Sequence, residues 1–153
     1  AVILSLDTGA YKAKADVAAA ASLKRMLEQV GIEVRAAKAF PEDKEMLKTV
    51  LCKLADAGMA ELVLTTGAVG FLEKHCAPDA VRETADRPLP GIPEALRAHN
   101  LRHTKKVILD RSEAGIRKNT LMINLQESAK MAKEDLEYIL PEVVQVVDTF
   151  SLR

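Results

Sequence analysis

The chain begins with an alternation of short apolar runs and longer segments of helical periodicity. Val2–Leu6, Ile32–Phe40 and Leu62–Thr65 predict strands. Between them, Asp16–Val30 and Glu42–Ala57 carry apolar residues at helical spacing, and each is followed by a glycine suited to a helix end. A β-α-β-α-β order predicts a parallel sheet with right-handed crossovers. We therefore expect an α/β protein.

The rest of the chain is less regular. Further helices are predicted at three places: Pro78–Ala85, Pro93–Arg102 and Ser128–Leu140. Further strands are predicted at two places: Val107–Asp110 and Thr120–Leu125. Asp7-Thr8-Gly9 predicts a turn, and the proline-rich joint Arg87–Pro93 is expected to hold no regular structure. Asp16 and Ser128 are expected to cap helices, and Pro141 to start a separate helix.

Composition excludes several classes of function. Lys plus Arg balances Asp plus Glu, 22 against 22, so we expect no nucleic-acid or anionic-membrane partner. No apolar run has the length needed to span a bilayer. Cys52 and Cys76 suggest neither a disulfide framework nor a metal site, which fits a cytoplasmic protein. The length predicts one domain, residues 1–153, with a substantial core.

The segment Leu62–Gly70 is the most informative candidate for a site. Its apolar run breaks into Thr65-Thr66-Gly67, followed after two residues by Gly70. In open α/β sheets, ligands bind at the carboxyl ends of strands. Glycines at such a place let backbone N–H groups approach an anion closely. A purely structural turn is the alternative interpretation.

Five segments together resemble the MogA/MoaB-type molybdenum cofactor biosynthesis proteins. They are Leu64–Gly70, Ala77–Ala80, Pro90–Arg97, Leu109–Arg117 and Thr120–Leu125. The resemblance implies a three-layer α/β/α fold with a mostly parallel sheet, assembled as a homo-trimer or hexamer. It also implies binding of molybdopterin and, in the adenylyltransferase members, transfer of AMP from Mg-ATP to the terminal phosphate of that pterin.

The resemblance further implies a set of site residues. Glu42 matches a carboxylate associated with catalysis, and His75 stands where the family carries a catalytic or metal-holding aspartate. The predicted ligand-binding residues are Asp7, Thr66, Gly67, Gly70, Glu94, Arg111, Asn124, Ser128 and Lys130. Several have plainer alternatives, since acidic residues favour helix starts, Ser128 suits a cap and His75 suits an exposed loop.

Departures from the family pattern concentrate at this site. Ala68 and Val69 interrupt the glycine loop, His75 replaces a carboxylate, and Gln126-Glu127 replaces a Pro-Gly turn. A positive φ at Ala68 would cost on the order of 1 kcal/mol. Three hypotheses follow: a molybdopterin-binding protein with or without adenylyl transfer, an inactive paralogue acting as a trimeric binding or scaffold protein, or an enzyme on another nucleotide. A merely degenerate cleft predicts that Ala68→Gly with His75→Asp increases ligand affinity.

Overall fold

A six-stranded sheet forms the middle of the computed structural model, which describes residues 1–152. The strands are β1 Val2–Leu6, β2 Ala36–Phe40, β3 Leu62–Thr66, β4 Arg87–Pro88, β5 Ala114–Arg117 and β6 Thr120–Leu125. The helices are α1 Thr8–Ala13, α2 Ala18–Gln29, α3 Lys44–Asp56, α4 Ala77–Thr84, α5 Gly91–Leu101 and α6 Ala129–Ser151, with a 3-10 helix at Lys105–Leu109.

The strand order is β2-β1-β3-β6-β5-β4. The first four strands in this order run parallel, and β5 and β4 add an antiparallel edge. Thr66 of β3 pairs with Ser5 of β1 on one side and with Leu125 of β6 on the other. The carboxyl ends of β1, β3 and β6 therefore meet at one edge of the sheet.

Two apolar clusters cover the two faces of the sheet. Alternate side chains of a strand point to opposite faces, so Ile3 and Leu64 belong to one cluster and Leu4 and Val63 to the other. Helices α2, α5 and α6 contribute to the first cluster, and α3 and α4 to the second. The predicted three-layer α/β/α architecture with a mostly parallel sheet is confirmed.

The antiparallel edge differs from the sequence prediction. Val107–Asp110, predicted as a strand, lies mostly in the 3-10 helix, because a short apolar run does not distinguish strand from helix. The joint predicted to lack regular structure contains β4, whose Pro88 pairs with Gly115 of the unpredicted β5. Proline is tolerated there because β4 is an edge strand, where one side needs no ladder N–H.

Helix boundaries also differ at several places. Pro141 does not start a new helix but lies inside the continuous α6. The segment after β1, predicted as a turn, is instead the start of α1, and the Asp7 side chain caps this helix. Asp16 is exposed and does not cap α2, because Val17 occupies that position without a side-chain bond. Within residues 1–152, no helix is both long and apolar enough to cross a membrane, and both cysteines are free.

Candidate functional site

The glycine loop begins where β3 ends. Gly67 has φ +81° and its N–H donates to the Leu125 carbonyl of β6 at 3.1 Å. A Cβ on Gly67 would lie 3.1 Å from the Leu6 carbonyl oxygen at the end of β1. Glycine is therefore required here by its backbone conformation and by the close approach of the neighbouring strand.

Ala68 continues the loop in the left-handed region, with φ +57°. The strain foreseen from the sequence is thus present, at a cost of about 1 kcal/mol. The loop holds this shape because the Ala68 carbonyl accepts from Ala77 N at 3.2 Å and the Val69 carbonyl from Arg111 N at 2.9 Å. These bonds fix the loop to α4 and to the segment before β5.

His75 packs against the end of the glycine loop. Its Nδ1 accepts a hydrogen bond from Leu72 N at 3.2 Å. A Cβ on Gly70 would lie 2.6 Å from this Nδ1, so the glycine makes room for the imidazole ring. His75 lies in the loop before α4 and is half-buried, so it is less exposed than the plain alternative expected.

A cavity of about 680 Å³ opens beside the glycine loop. Its apolar walls are Val69, Phe71, Val107, Leu109 and Met131. Its polar walls are His75, Thr104, Lys106, Asp110, Gln126 and Glu127. This volume suits a small organic ligand, and mostly apolar walls with a few polar groups are typical of such sites. A smaller hollow of about 380 Å³ lies at the opposite edge of the sheet, where the strands begin.

Asp110 anchors one wall of the cavity, although it was not among the site residues predicted from the sequence. Its Oδ1 accepts from the Ser112 hydroxyl at 2.6 Å and from Gln126 Nε2 at 3.0 Å. Its Oδ2 lies 3.4 Å from Arg97 Nη1, and its side chain is only 7% exposed. The available signal was the spacing Asp110-x-Ser112, since Asp side chains often accept from the backbone N–H two residues on.

The predicted acidic residues lie elsewhere along the edge. Asp7 accepts from Ala10 N at 3.0 Å as the cap of α1. Glu42 follows β2, and its Oε1 accepts from the Thr8 hydroxyl at 3.4 Å. Neither residue lines the cavity. Within the described part of the chain, no group of three or more His, Cys, Asp or Glu side chains is placed to hold a metal ion.

Asn124 is buried and bonded internally. Its Nδ2 donates to the Thr65 hydroxyl at 2.8 Å, and its Oδ1 accepts from Glu113 N at 3.0 Å. These bonds join β3, β6 and the start of β5, so this arrangement gives Asn124 a structural role. Thr66 is also buried, in register with Leu125 at the strand end. The predicted ligand contacts of both residues stay predictions.

The remaining predicted residues do not line the cavity. Arg111 Nη2 donates to Asp79 Oδ1 of α4 at 2.8 Å. Ser128 caps α6 by accepting from Met131 N at 3.1 Å, which confirms the predicted cap. Lys130 and Glu94 are exposed in the first turns of α6 and α5. Their ligand-binding roles stay predictions.

A buried carboxyl group lies behind the cavity wall. Asp135 of α6 is 1% exposed and accepts from Asn100 Nδ2 of α5 at 2.7 Å. Burial raises the pKa of Asp135 to about 6, although hydrogen bonds from Asn100 and from the backbone of Gln126 oppose that rise. Asp135 therefore connects two helices to the loop that carries Gln126 and Glu127.

Several known proteins with similar sequences are molybdopterin adenylyltransferases. The chain is 33% identical over 107 residues to a molybdopterin adenylyltransferase of Helicobacter pylori, an alignment that covers 70% of this chain and 61% of that protein. It is 38% identical over 98 residues to the molybdopterin adenylyltransferase of Escherichia coli K12, covering 64% of this chain and 50% of that protein. The chain thus aligns with only part of the length of these relatives.

Solved structures and a family model agree with that similarity. The molybdopterin biosynthesis enzyme MoaB of Thermus thermophilus superimposes with a TM-score of 0.86 at 32% identity, covering 99% of this chain and 96% of that chain. The Mog protein of Mycobacterium ulcerans, at 21% identity and a TM-score of 0.88 over 97% of both chains, shares the fold. The family model described as a probable molybdopterin binding domain matches residues 2–145. The chain therefore belongs to this family and is MogA/MoaB-like.

Proposed function

We propose that residues 1–153 act as one domain that binds molybdopterin in the glycine-loop cavity, without efficient adenylyl transfer from Mg-ATP. The observation that carries the proposal is the cavity of about 680 Å³ between the glycine loop and the loop after β6. It lies at the carboxyl ends of parallel strands, where open α/β sheets bind their ligands. Its mostly apolar walls suit a planar ring system more than a chain of phosphates.

The residues present do not fit a bound Mg-ATP. Mg²⁺ prefers hard oxygen ligands in near-octahedral geometry, and His75 supplies a nitrogen where the family has a carboxylate. Asp7 is engaged in capping α1, and Glu42 is engaged with Thr8. Glu127 adds a negative charge to the cavity wall, which opposes the approach of a triphosphate.

Isothermal titration with molybdopterin and, separately, with Mg-ATP tests the proposal. We expect micromolar binding of molybdopterin, no heat with Mg-ATP, and no release of pyrophosphate when both are present. The molybdopterin adenylyltransferase of Escherichia coli serves as the positive control for the release assay. Absence of molybdopterin binding would overturn the proposal, and pyrophosphate release at the rate of the control would overturn its second part.

We also propose that the protein assembles as a homo-trimer. The support is the family resemblance together with large apolar side chains that remain exposed in the single chain, such as Phe71 at 67% and Ile108 at 69%. A trimer that binds neither molybdopterin nor a nucleotide would instead fit the scaffold hypothesis. Light scattering measures the mass directly, and a monomer at micromolar concentration would contradict this proposal.

A further inference from the structure

The imidazole ring of His75 is oriented before any ligand arrives. Leu72 N donates to Nδ1, and the ring rests on Gly70, where no Cβ intervenes. A neutral histidine whose Nδ1 accepts a hydrogen bond carries its hydrogen on Nε2. Nε2 makes no hydrogen bond to residues 1–152. His75 therefore keeps one N–H donor available in the wall of the cavity.

Glu127 offers the complementary group. It lies in the cavity wall, with its Cγ 3.7 Å from the place a Gly67 Cβ would take. A carboxylate of this kind only accepts hydrogen bonds. The neighbouring Asp110 differs, because Ser112, Gln126 and Arg97 already engage its oxygens. The cavity thus combines a donor, an acceptor and apolar walls.

We propose that His75 contacts the ligand, with Nε2–H donating to a ring carbonyl oxygen while Glu127 accepts from ring N–H groups. A planar ring with a carbonyl next to an N–H, a lactam, matches both groups at once. An amino group in place of that carbonyl would set two donors against each other. This inference rests on the proposed function, since the pterin ring carries such a lactam, and adds His75 as the residue that selects it.

Two pteridines that differ at the lactam edge provide the test. Pterin carries a 4-oxo group and a hydrogen on N3, whereas 2,4-diaminopteridine carries a 4-amino group and no hydrogen on N3. In fluorescence titrations at pH 7, we expect the unmodified protein to prefer pterin by about tenfold, the discrimination that one well-formed hydrogen bond supplies. His75→Phe keeps a ring but removes the donor, and should reduce the preference, because pterin loses a hydrogen bond and the 4-amino group no longer faces a second donor. Glu127 accounts for the preference that remains.

Two further variants separate recognition from structure. His75→Gln retains a donor near the Nε2 position and should keep most of the preference. Lys74→Ala changes the exposed neighbouring residue and should keep all of it. If His75 had only a structural role, His75→Phe would lower the affinities for pterin and for 2,4-diaminopteridine equally. Thermal unfolding of each variant shows whether it is folded.

The outcomes distinguish this inference from the proposed function. Failure of the unmodified protein to bind either pteridine would overturn the proposed function and, with it, the inference. Binding of pterin with an unchanged preference in His75→Phe would overturn the inference alone. If His75→Phe does not fold, His75→Leu takes its place as the variant without a donor: an unchanged preference would overturn the inference, and a reduced preference would support it.

Discussion

Within residues 1–152, three non-glycine residues hold a left-handed backbone conformation: Lys14, Ala68 and Lys118. Lys118, with φ +53°, sits in the tight turn between β5 and β6 and is exposed. Its N–H donates to Asp86, and this bond does not depend on the side chain. Ala68 is buried in the glycine loop, so its methyl group contributes packing as well as strain. The same substitution should therefore act differently at the two sites.

We expect Lys118→Gly to raise the free energy of unfolding by about 0.5–1 kcal/mol, because glycine adopts this conformation without strain. The exposed ion pair of Lys118 with Asp56 contributes little. Ala68→Gly should change stability by less, since loss of a buried methyl group, about 0.8 kcal/mol, offsets the relief of strain. Urea unfolding measures both variants. A destabilised Lys118→Gly protein would contradict the argument.

Asp135 should make stability depend on pH. The raised pKa of about 6 means that the folded protein binds more protons than the unfolded chain between pH 4 and 6. Stability from this group is therefore fully present at low pH and is lost as the pH rises through about 6. Above pH 6, keeping the ionised Asp135 carboxylate buried lowers the free energy of unfolding by about 2–3 kcal/mol.

Asp135→Asn should remove most of this penalty. Asparagine keeps an oxygen that can accept from Asn100, so we expect about 1–2 kcal/mol of added stability at pH 8 and little change at pH 4.5. Urea unfolding at the two pH values measures the effect. Glu137→Gln, which removes an exposed carboxylate from the same helix, is the matched control. Equal effects of Asp135→Asn at both pH values would show that the carboxyl group does not titrate in this range.

Residue patterns predicted the position of the site better than its contacts. The glycine loop was selected because it follows the predicted strand β3, and Gln126 and Glu127 because they depart from the family pattern. The structure brings them together because the carboxyl ends of β3 and β6 meet. Asp110 was not selected, because its partners Gln126 and Arg97 are distant in sequence and come together only in the fold. The orientation of His75 likewise depends on Gly70 and Leu72, whose contacts no spacing rule gives.

At the scale of elements, the parallel half of the sheet was predictable and the antiparallel edge was not. β1, β3 and the helices α2 and α3 have long periodic or fully apolar patterns. β4 has two residues and β5 has four, too few for a pattern. Such short strands are defined by their pairing partners, which the local sequence does not contain.

Pro141 tests how strongly tertiary packing governs α6. The helix continues through this residue because Ile139 and Val143 on either side are buried in the core. Proline has no N–H for the Glu137 carbonyl, so Pro141→Ala should restore a bond and raise stability by about 1–2 kcal/mol. Gln145→Ala, exposed one turn later, is the control and should stay within about 0.5 kcal/mol. Thermal unfolding compares them, and a less stable Pro141→Ala protein would contradict the argument.

At the scale of the whole molecule, the cavity is built from three segments far apart in the chain. The glycine loop and the loop after β6 meet because their strands are paired. Residues 104–110 close the third side, and their carboxylate Asp110 holds Gln126 of the opposite loop. Substitutions of Ala68, His75 or Glu127 therefore all alter the same cavity. We therefore expect their effects on ligand binding to depend on one another.

The paired reversion Ala68→Gly with His75→Asp distinguishes a degenerate cleft from a rebuilt one. A degenerate cleft predicts a gain in ligand affinity. The orientation of His75 predicts the opposite for the pterin ring, because aspartate removes the donor and adds a negative charge beside Glu127 and Asp110. We expect pterin affinity to fall by about tenfold, with His75→Asp alone accounting for the loss. Fluorescence titration of both variants decides, and a tighter complex in the paired reversion would show that the cleft has only decayed.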